Sequence, residues 1–399
     1  VAEAVLEKSA QVHESVAQAP DDGWVAPPPV RLSDGTRLQL FKDGQALKAA
    51  YDAIASAKKR ICLEVYIFHS DTTGMAFAEL LAKKAREGVA VYVIYDSFGS
   101  YESADAMFDL MKSAGVKLRS FHPVLPWQSN FGWRPLNRDH RKLLIIDDDI
   151  AGIGGLNVGA EYAGSSIIRT ETCQRWRDSA VAIIGPGAAL LMESFMRTWN
   201  YINTGGRIAK AELLHNLDRG ELGLLAIVPT VKSPLLPFLT KLFREARASI
   251  YLTMAYFAPD DGLIEELCKA ATRGVRVRLM LAGQCDIQFL QIAARSFYET
   301  LLTNGVRIFE LQGAVLHAKT IVIDESITII GSTNLDYRSI EFNCEVSAII
   351  RNETFGRQMT ALFANDVEHA KRIELSDWRY RPTWDRFVQW AVSRARYLL

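Results

Sequence analysis

The sequence predicts an α/β protein of two similar lobes, each a mixed, largely parallel sheet flanked by helices, the lobes related by a pseudo-two-fold axis. Three observations predict it. Apolar runs of strand length alternate with amphipathic runs of helical length, the pattern of βαβ units. The same order of segments occurs twice along 399 residues. Each copy closes on the same His, Lys, Asp and Asn residues at matching spacing.

The first lobe is assigned to residues 38–203. Residues 44–57 read as a helix and 60–68 as an apolar strand. A helix over 75–86 stops at Gly88, and a strand follows over 89–95. A helix over 104–114 stops at Gly115 before a strand over 116–121. The second lobe, 224–370, repeats the order: helix 237–246, strand 249–257, helix 263–272, strand 275–281, helix 290–303, strand 306–311. Gly274 and Gly305 stand where Gly88 and Gly115 stand, each at a helix stop. Residues 204–223, charged and carrying Gly205-Gly206, read as a linker. Residues 1–37 read as peripheral, because Pro20 and Pro27-Pro28-Pro29 break the helical spacing that precedes them. Residues 371–399 form a tail of aromatic and arginine residues.

Composition narrows the function classes. Hydrophobic residues make up 49% and charged residues 23%, which excludes a disordered or collagen-like chain. The 46 basic residues balance 46 acidic ones, so the basic excess typical of a nucleic-acid binder is missing and no nucleic-acid partner is expected. Cys62, Cys173, Cys268, Cys285 and Cys344 are odd in number and lack a CxxC. They read as thiols of a reducing compartment, not as a disulfide framework or zinc site. No apolar run reaches the ~18 residues of a membrane span. The chain starts at Val1, so an anchor or signal can lie upstream.

The chemistry sits in the repeat. The first copy reads His140-Arg-Lys142, then Asp147, then Gly154-Gly155-Leu-Asn157. The second reads His317-Ala-Lys319, then Asp324, then Gly331-Ser332-Thr-Asn334. His and Lys two apart on a strand share a face, so an imidazole and an ammonium enter one site together. The glycines allow close backbone approach to a ligand, and the asparagines supply amide donors.

Paired lobes would give a cationic, donor-rich pocket with no carboxylate cluster for a metal, so no metal or cofactor is expected. Such a pocket suits a phosphodiester. Lys142, Lys319, Asn157 and Asn334 would bind the phosphate. One histidine would attack phosphorus to give a phosphohistidine, and the other would shuttle the proton. A nucleophilic imidazole needs a carboxylate to fix its tautomer. Asp178 and Glu345, each at the start of a strand, are the candidates. His13, His69, His122, His215 and His369 have no repeat partner and read as structural or solvated. Asp148 and Asp149 read as a turn.

These motifs resemble the phospholipase D superfamily. Trp176-Arg-Asp178, Gly154 to Tyr162, and Gly331 to Ser339 with Asn343-x-Glu345 are similar to bacterial cardiolipin synthases, over about residues 38–370. The resemblance implies metal-independent, ping-pong phosphatidyl transfer, with His140 as nucleophile and His317 as general acid/base. Lys142, Lys319, Asp147 and Asp324 complete the catalytic motif, the aspartates in a structural capacity. It implies a phospholipid substrate, phosphatidylglycerol, two molecules of which give cardiolipin and glycerol at the bacterial cell membrane. Hydrolysis by the same route, a nuclease, and a membrane-binding scaffold are the competing readings.

Two aromatic segments suggest peripheral membrane contact. Trp127, Phe131 and Trp133 lie in a loop just before the first motif. Trp384, Phe387 and Trp390 lie in the tail, where Trp384, Phe387, Val388, Ala391, Ala395 and Leu398 share a helical face among arginines.

Overall fold

The computed structural model describes residues 24–128, 134–163, 175–205, 214–215, 220–229 and 233–395. The first lobe contributes β1 (Val30–Arg31), β2 (Arg37–Lys42), β3 (Arg60–Val65), β4 (Ala90–Asp96), β5 (Lys117–Phe121), β7 (Leu143–Ile146), β8 (Ile150–Gly154) and β10 (Ser179–Ile184). They form one sheet in the order β1-β2-β10-β8-β7-β3-β4-β5. The second lobe contributes β11 (Leu214–His215), β12 (Leu222–Ile227), β13 (Ser249–Met254), β14 (Arg276–Gln284), β15 (Arg307–Leu316), β16 (Lys319–Ile323), β17 (Ile327–Gly331), β18 (Asn343–Arg351) and β19 (Ala370–Ile373). Their order, β11-β12-β18-β17-β16-β13-β14-β15-β19, repeats the first sheet from its second strand onward.

The sheets are mixed, but the expectation of a largely parallel arrangement is corrected. Only β3-β4-β5 and β13-β14-β15 run parallel along these two orders; the other pairings are antiparallel. The parallel strands are those joined by helices. The motif strands are joined by three-residue turns, which permit only antiparallel pairing. Both turns open with two residues in the left-handed region, Asp147-Asp148 and Asp324-Glu325, a conformation that aspartate tolerates better than most residues.

Several boundaries also shift. Val30–Arg31 pairs with β2, so the segment expected to be peripheral supplies an edge strand. Leu214–His215 and Leu222 lie in the second sheet, inside the stretch expected to be a linker. The helix expected over 290–303 is two, Gln288–Ser296 and Tyr298–Thr303, meeting at Phe297.

The lobes pack sheet toward sheet. One core joins Leu40, Cys62, Ile145 and Val181 of the first lobe to Tyr251, Val322, Ile330 and Ala348 of the second. Each sheet's other face is covered by its own helices and has its own core. Two short strands cross between lobes. β6 (Arg138–Asp139) pairs with β18, and β9 (Trp176–Arg177) pairs with β15. Both come from the first lobe, and these two pairings decide where the motif histidines sit.

Candidate active site

Immediately after β6, His140 donates its backbone N–H to Cys344 of the second lobe, at 2.9 Å. Its side chain is thereby laid against β18, and Nδ1 lies 3.0 and 3.1 Å from the two Glu345 carboxylate oxygens. The other half repeats the device. His317 donates its N–H to Arg177 at 2.8 Å, and its Nδ1 lies 2.7 Å from Asp178 Oδ2. Each histidine is therefore oriented by the opposite lobe. With Nδ1 held by a carboxylate, Nε2 is left for chemistry.

The glycines serve this arrangement. A Cβ on Gly155 would lie 2.3 Å from Asp178 Oδ1, so it is the Asp178 carboxylate, not a ligand, that this glycine admits. Gly154 and Gly331 are crowded by the neighbouring strand, at Ala180 and Ser347. In the second lobe Ser332 takes the place of Gly155, and its hydroxyl donates to Glu345. Asn343 adds a bond to Glu345 at 3.3 Å.

The two carboxylates consequently differ. Burial pushes Asp178 up to about 6 against the pull of Lys319 and the Ser179 amide. Burial acts on Glu345 too, but His140, Lys142 and the Ser332 hydroxyl outweigh it and hold this carboxyl below its ordinary value. Burial likewise lowers both imidazoles, His317 well below the usual range with Lys319 and Lys142 reinforcing it. Both rings are thus kept neutral near pH 7.

Lys142 Nζ donates to the carbonyl of His140 at 2.6 Å, and Lys319 Nζ donates to that of His317. Each ammonium keeps further protons for an anion. Burial lowers both lysines, Lys142 to about 7 with Lys319 reinforcing it. Two cations are held in mutual repulsion inside a buried pocket, which an incoming phosphate relieves.

The remaining motif residues act at a distance. Asp147 accepts the backbone N–H groups of Lys58, Lys59 and Arg60 at 2.9, 2.6 and 2.9 Å. Asp324 accepts those of Arg247, Ala248 and Ser249 at 2.9, 2.7 and 2.8 Å. Both clamp the entry to a central parallel strand, at the far end of the motif strand. They are motif members that hold backbone, the structural capacity that the resemblance implied for them. Asn157 Oδ1 accepts from Ile67 N at 3.1 Å and Nδ2 donates to Tyr162 at 2.7 Å, so its amide tethers the segment after β3 with one N–H in hand. Asn334 accepts from Tyr256 N in the corresponding place.

Sequence reasoning did not single out the aromatic walls. Tyr66 meets His140 edge-on at 5.1 Å, while Tyr162 and Trp176 flank His317 at 5.4 and 5.3 Å. Trp176 stands two residues before Asp178, which was the available signal for it. Of the other histidines, His13 lies outside the described residues, His69 pairs with Glu161 at 3.1 Å, and His122 bridges Asn137 and Tyr201. Among the described residues no three His, Cys, Asp or Glu are grouped to hold a metal ion.

Trp127 is 78% exposed, whereas Phe131 and Trp133 lie outside the described residues. The tail helix Thr383–Ala395 packs on Gln288–Ser296. Its predicted apolar face is split. Val388 and Val392 turn inward, while Trp384, Phe387 and Trp390 are 69%, 54% and 56% exposed.

Duplicated lobes that each orient the other's motif histidine, and bring two His-x-Lys segments to one buried seam, define a member of the phospholipase D superfamily. A family model described as cardiolipin synthase, phospholipase D-like domain, matches residues 51–182 and 239–367. The chain belongs to this family, the phospholipase D-like cardiolipin synthases. It is 33% identical to cardiolipin synthase of Geobacillus thermodenitrificans over 374 residues, 92% of this chain and 72% of that protein. It is 32% identical to cardiolipin synthase 1 of Staphylococcus epidermidis over 90% of this chain and 73% of that one. The fold is also that of phosphatidylserine synthase from Haemophilus influenzae, with a TM-score of 0.67 at 14% identity, covering 98% of this chain and all of that one.

Proposed function

We propose that this protein makes cardiolipin from two phosphatidylglycerol molecules through a phosphohistidine. His140 Nε2 attacks phosphorus of the first lipid. The bond from phosphorus to the headgroup glycerol oxygen breaks, and that oxygen takes a proton from His317. Glycerol leaves and the phosphatidyl group remains on His140. A hydroxyl of the second lipid then gives its proton to His317 and attacks phosphorus, which frees His140.

The observation that carries this reading is the crossed pairing of His140 with Glu345 and His317 with Asp178, around two buried lysines. Glu345, held ionised, suits His140 to the nucleophile's role. Lys142 and Lys319 neutralise the phosphate and the charge that builds up on it. The phosphate charge offsets the downward pull of Lys319 and Lys142 on His317 and, against burial, favours the protonated ring that the leaving group needs. The asparagines position the walls of the site.

The exposed Trp384, Phe387 and Trp390, with Arg394 stacked over Trp390 at 5.6 Å, support peripheral contact with anionic membrane lipid at the bacterial cell membrane. No described helix is long and apolar enough to cross a membrane. Vesicles of phosphatidylglycerol test the reaction: cardiolipin and glycerol are expected. Phosphatidic acid without cardiolipin contradicts transfer and establishes hydrolysis.

A further inference from the structure

The first lobe has an apolar cavity of about 120 Å³ between its sheet and the helix Gly44–Ser56, and Lys142 is one of its lining residues. That is room for roughly ten water-sized spheres, the scale of a length of alkyl chain. A buried sheet face under a helix is normally filled, and the second lobe shows it filled. There the row Leu252–Ile321–Ile329–Ile349 crosses the sheet. The matching row of the first lobe is Leu63–Leu144–Gly152–Ala182.

The helices differ in the same sense. Leu235, Phe238, Leu239 and Leu242 of the second lobe are buried. Counting back equally from β13 and β3, the first lobe has Ala46, Ala49, Ala50 and Ala53 there, all lining the cavity. Gly152 is required neither by its backbone nor by crowding. Its φ is outside the left-handed region, and the nearest atom to an added Cβ is Leu144 Cβ at 3.9 Å.

We propose that this cavity holds one acyl chain of the phospholipid whose phosphate is bound at Lys142. The inference rests on the phospholipid reading above. Duplication supplies the filled reference: at Gly152, Ala182 and the four helix positions the first lobe removes side-chain volume, while at the edge of the row Gln39 and Phe41 stand where the second lobe has Gly223 and Leu225. The lining is apolar apart from Gln39, Glu64 and Lys142, so it suits a hydrocarbon and not a headgroup. Because Lys142 lines the cavity, the chain and the phosphate would meet the same side chain.

The test restores the second lobe's residues. Gly152→Ile and Ala182→Ile, singly and together, should lower turnover of dioleoyl phosphatidylglycerol at least tenfold and leave dihexanoyl phosphatidylglycerol unchanged. Gly152→Ala, which fits the existing space, should give a smaller loss of the same kind. Equal loss on both lipids, or loss on neither, overturns the proposal.

Phosphatidylglycerol with a diazirine near the end of one chain should label peptides 44–56 and 144–154 of the wild type, and Gly152→Ile should suppress that label. Label elsewhere, with turnover intact, overturns the cavity assignment and leaves the phosphatidyl reading standing. No turnover of any phosphatidylglycerol by the wild type overturns that reading, while the labelling pattern still reports on the cavity. A photoreactive residue at position 49 that captures residues 1–23 of the same chain in place of lipid also overturns the assignment.

Discussion

His140 Nδ1 lies 3.0 Å from Glu345 Oε1, although the two residues are 205 positions apart. The bond runs between lobes, and its counterpart, His317 with Asp178, runs the opposite way. Neither lobe contains a complete catalytic histidine unit. The lobes must be docked before either imidazole has its tautomer fixed.

Replacing these carboxylates with amides should therefore cost rate, not fold. In Glu345→Gln the amide nitrogen can donate to Nδ1 of His140 and force the proton to Nε2, the atom that must attack. A loss of about 10²–10⁴-fold in kcat is expected, by analogy with the wrong-tautomer effect in triads. Thermal unfolding should stay close to wild type. Retention of full kcat would remove Glu345 from the mechanism.

The motif aspartates should show the opposite pattern. Asp147→Ala removes three charge-assisted bonds at the start of β3 and should lower stability by about 2 kcal/mol. Burial alone would raise Asp147, but the three amides hold it below its ordinary value. Its contribution is thus present above the unfolded carboxyl range and is lost as pH falls through the lowered folded value. Denaturant midpoints should differ between wild type and variant near neutral pH and converge in acid. A large drop in kcat per folded molecule would contradict that structural capacity.

Lys142 sets the alkaline limit. Its ammonium, lowered to about 7 mainly by burial, must be charged to receive an anionic phosphate. The charged fraction falls as pH rises through that value, so affinity for the anionic lipid should decline above about pH 7. His140 must be neutral, and because burial lowers it, the acid limb of the rate should lie below the ordinary histidine range. Lys142→Arg keeps its charge and should move the alkaline limb upward while lowering the plateau. An unmoved alkaline limb would assign it to another group.

The exposed tail aromatics should govern membrane capture. Trp384 and Phe387 meet tilted at 5.6 Å, and Phe387 and Trp390 stack at 6.1 Å, on the outer side of a docked helix. Alanine at all three should reduce sedimentation with anionic vesicles at least tenfold and leave unfolding unchanged. Unaltered vesicle binding would show that these rings do not touch lipid.

The sequence carried much of this account, and its shortfalls have physical causes. His and Lys at two-residue spacing forced a shared face, and the repeat forced two such faces. Asp178 and Glu345 were legible from their place at the head of a strand. Their crossing between lobes was not, because β6 and β9 are two residues each and have no periodicity to read. The parallel share of the sheets was overestimated because helix-linked strands dominate the pattern, while the tight turns at Asp147 and Asp324 set the motif strands antiparallel. Gly155 and Asn157 were read as facing a ligand. Asp178 occupies the contact at Gly155, while Asn157 spends one N–H on Tyr162 and keeps the other.

The most direct test of the central claim uses a phosphatidyl ester with a p-nitrophenol leaving group, which departs without a proton, and a label on its phosphorus. His317→Asn should release one equivalent of nitrophenolate in a burst, stall, and carry the label on the peptide containing His140. His140→Ala should show neither burst nor label. Label on His317 in the His140 variant, or steady turnover by His140→Ala, would contradict the assignment.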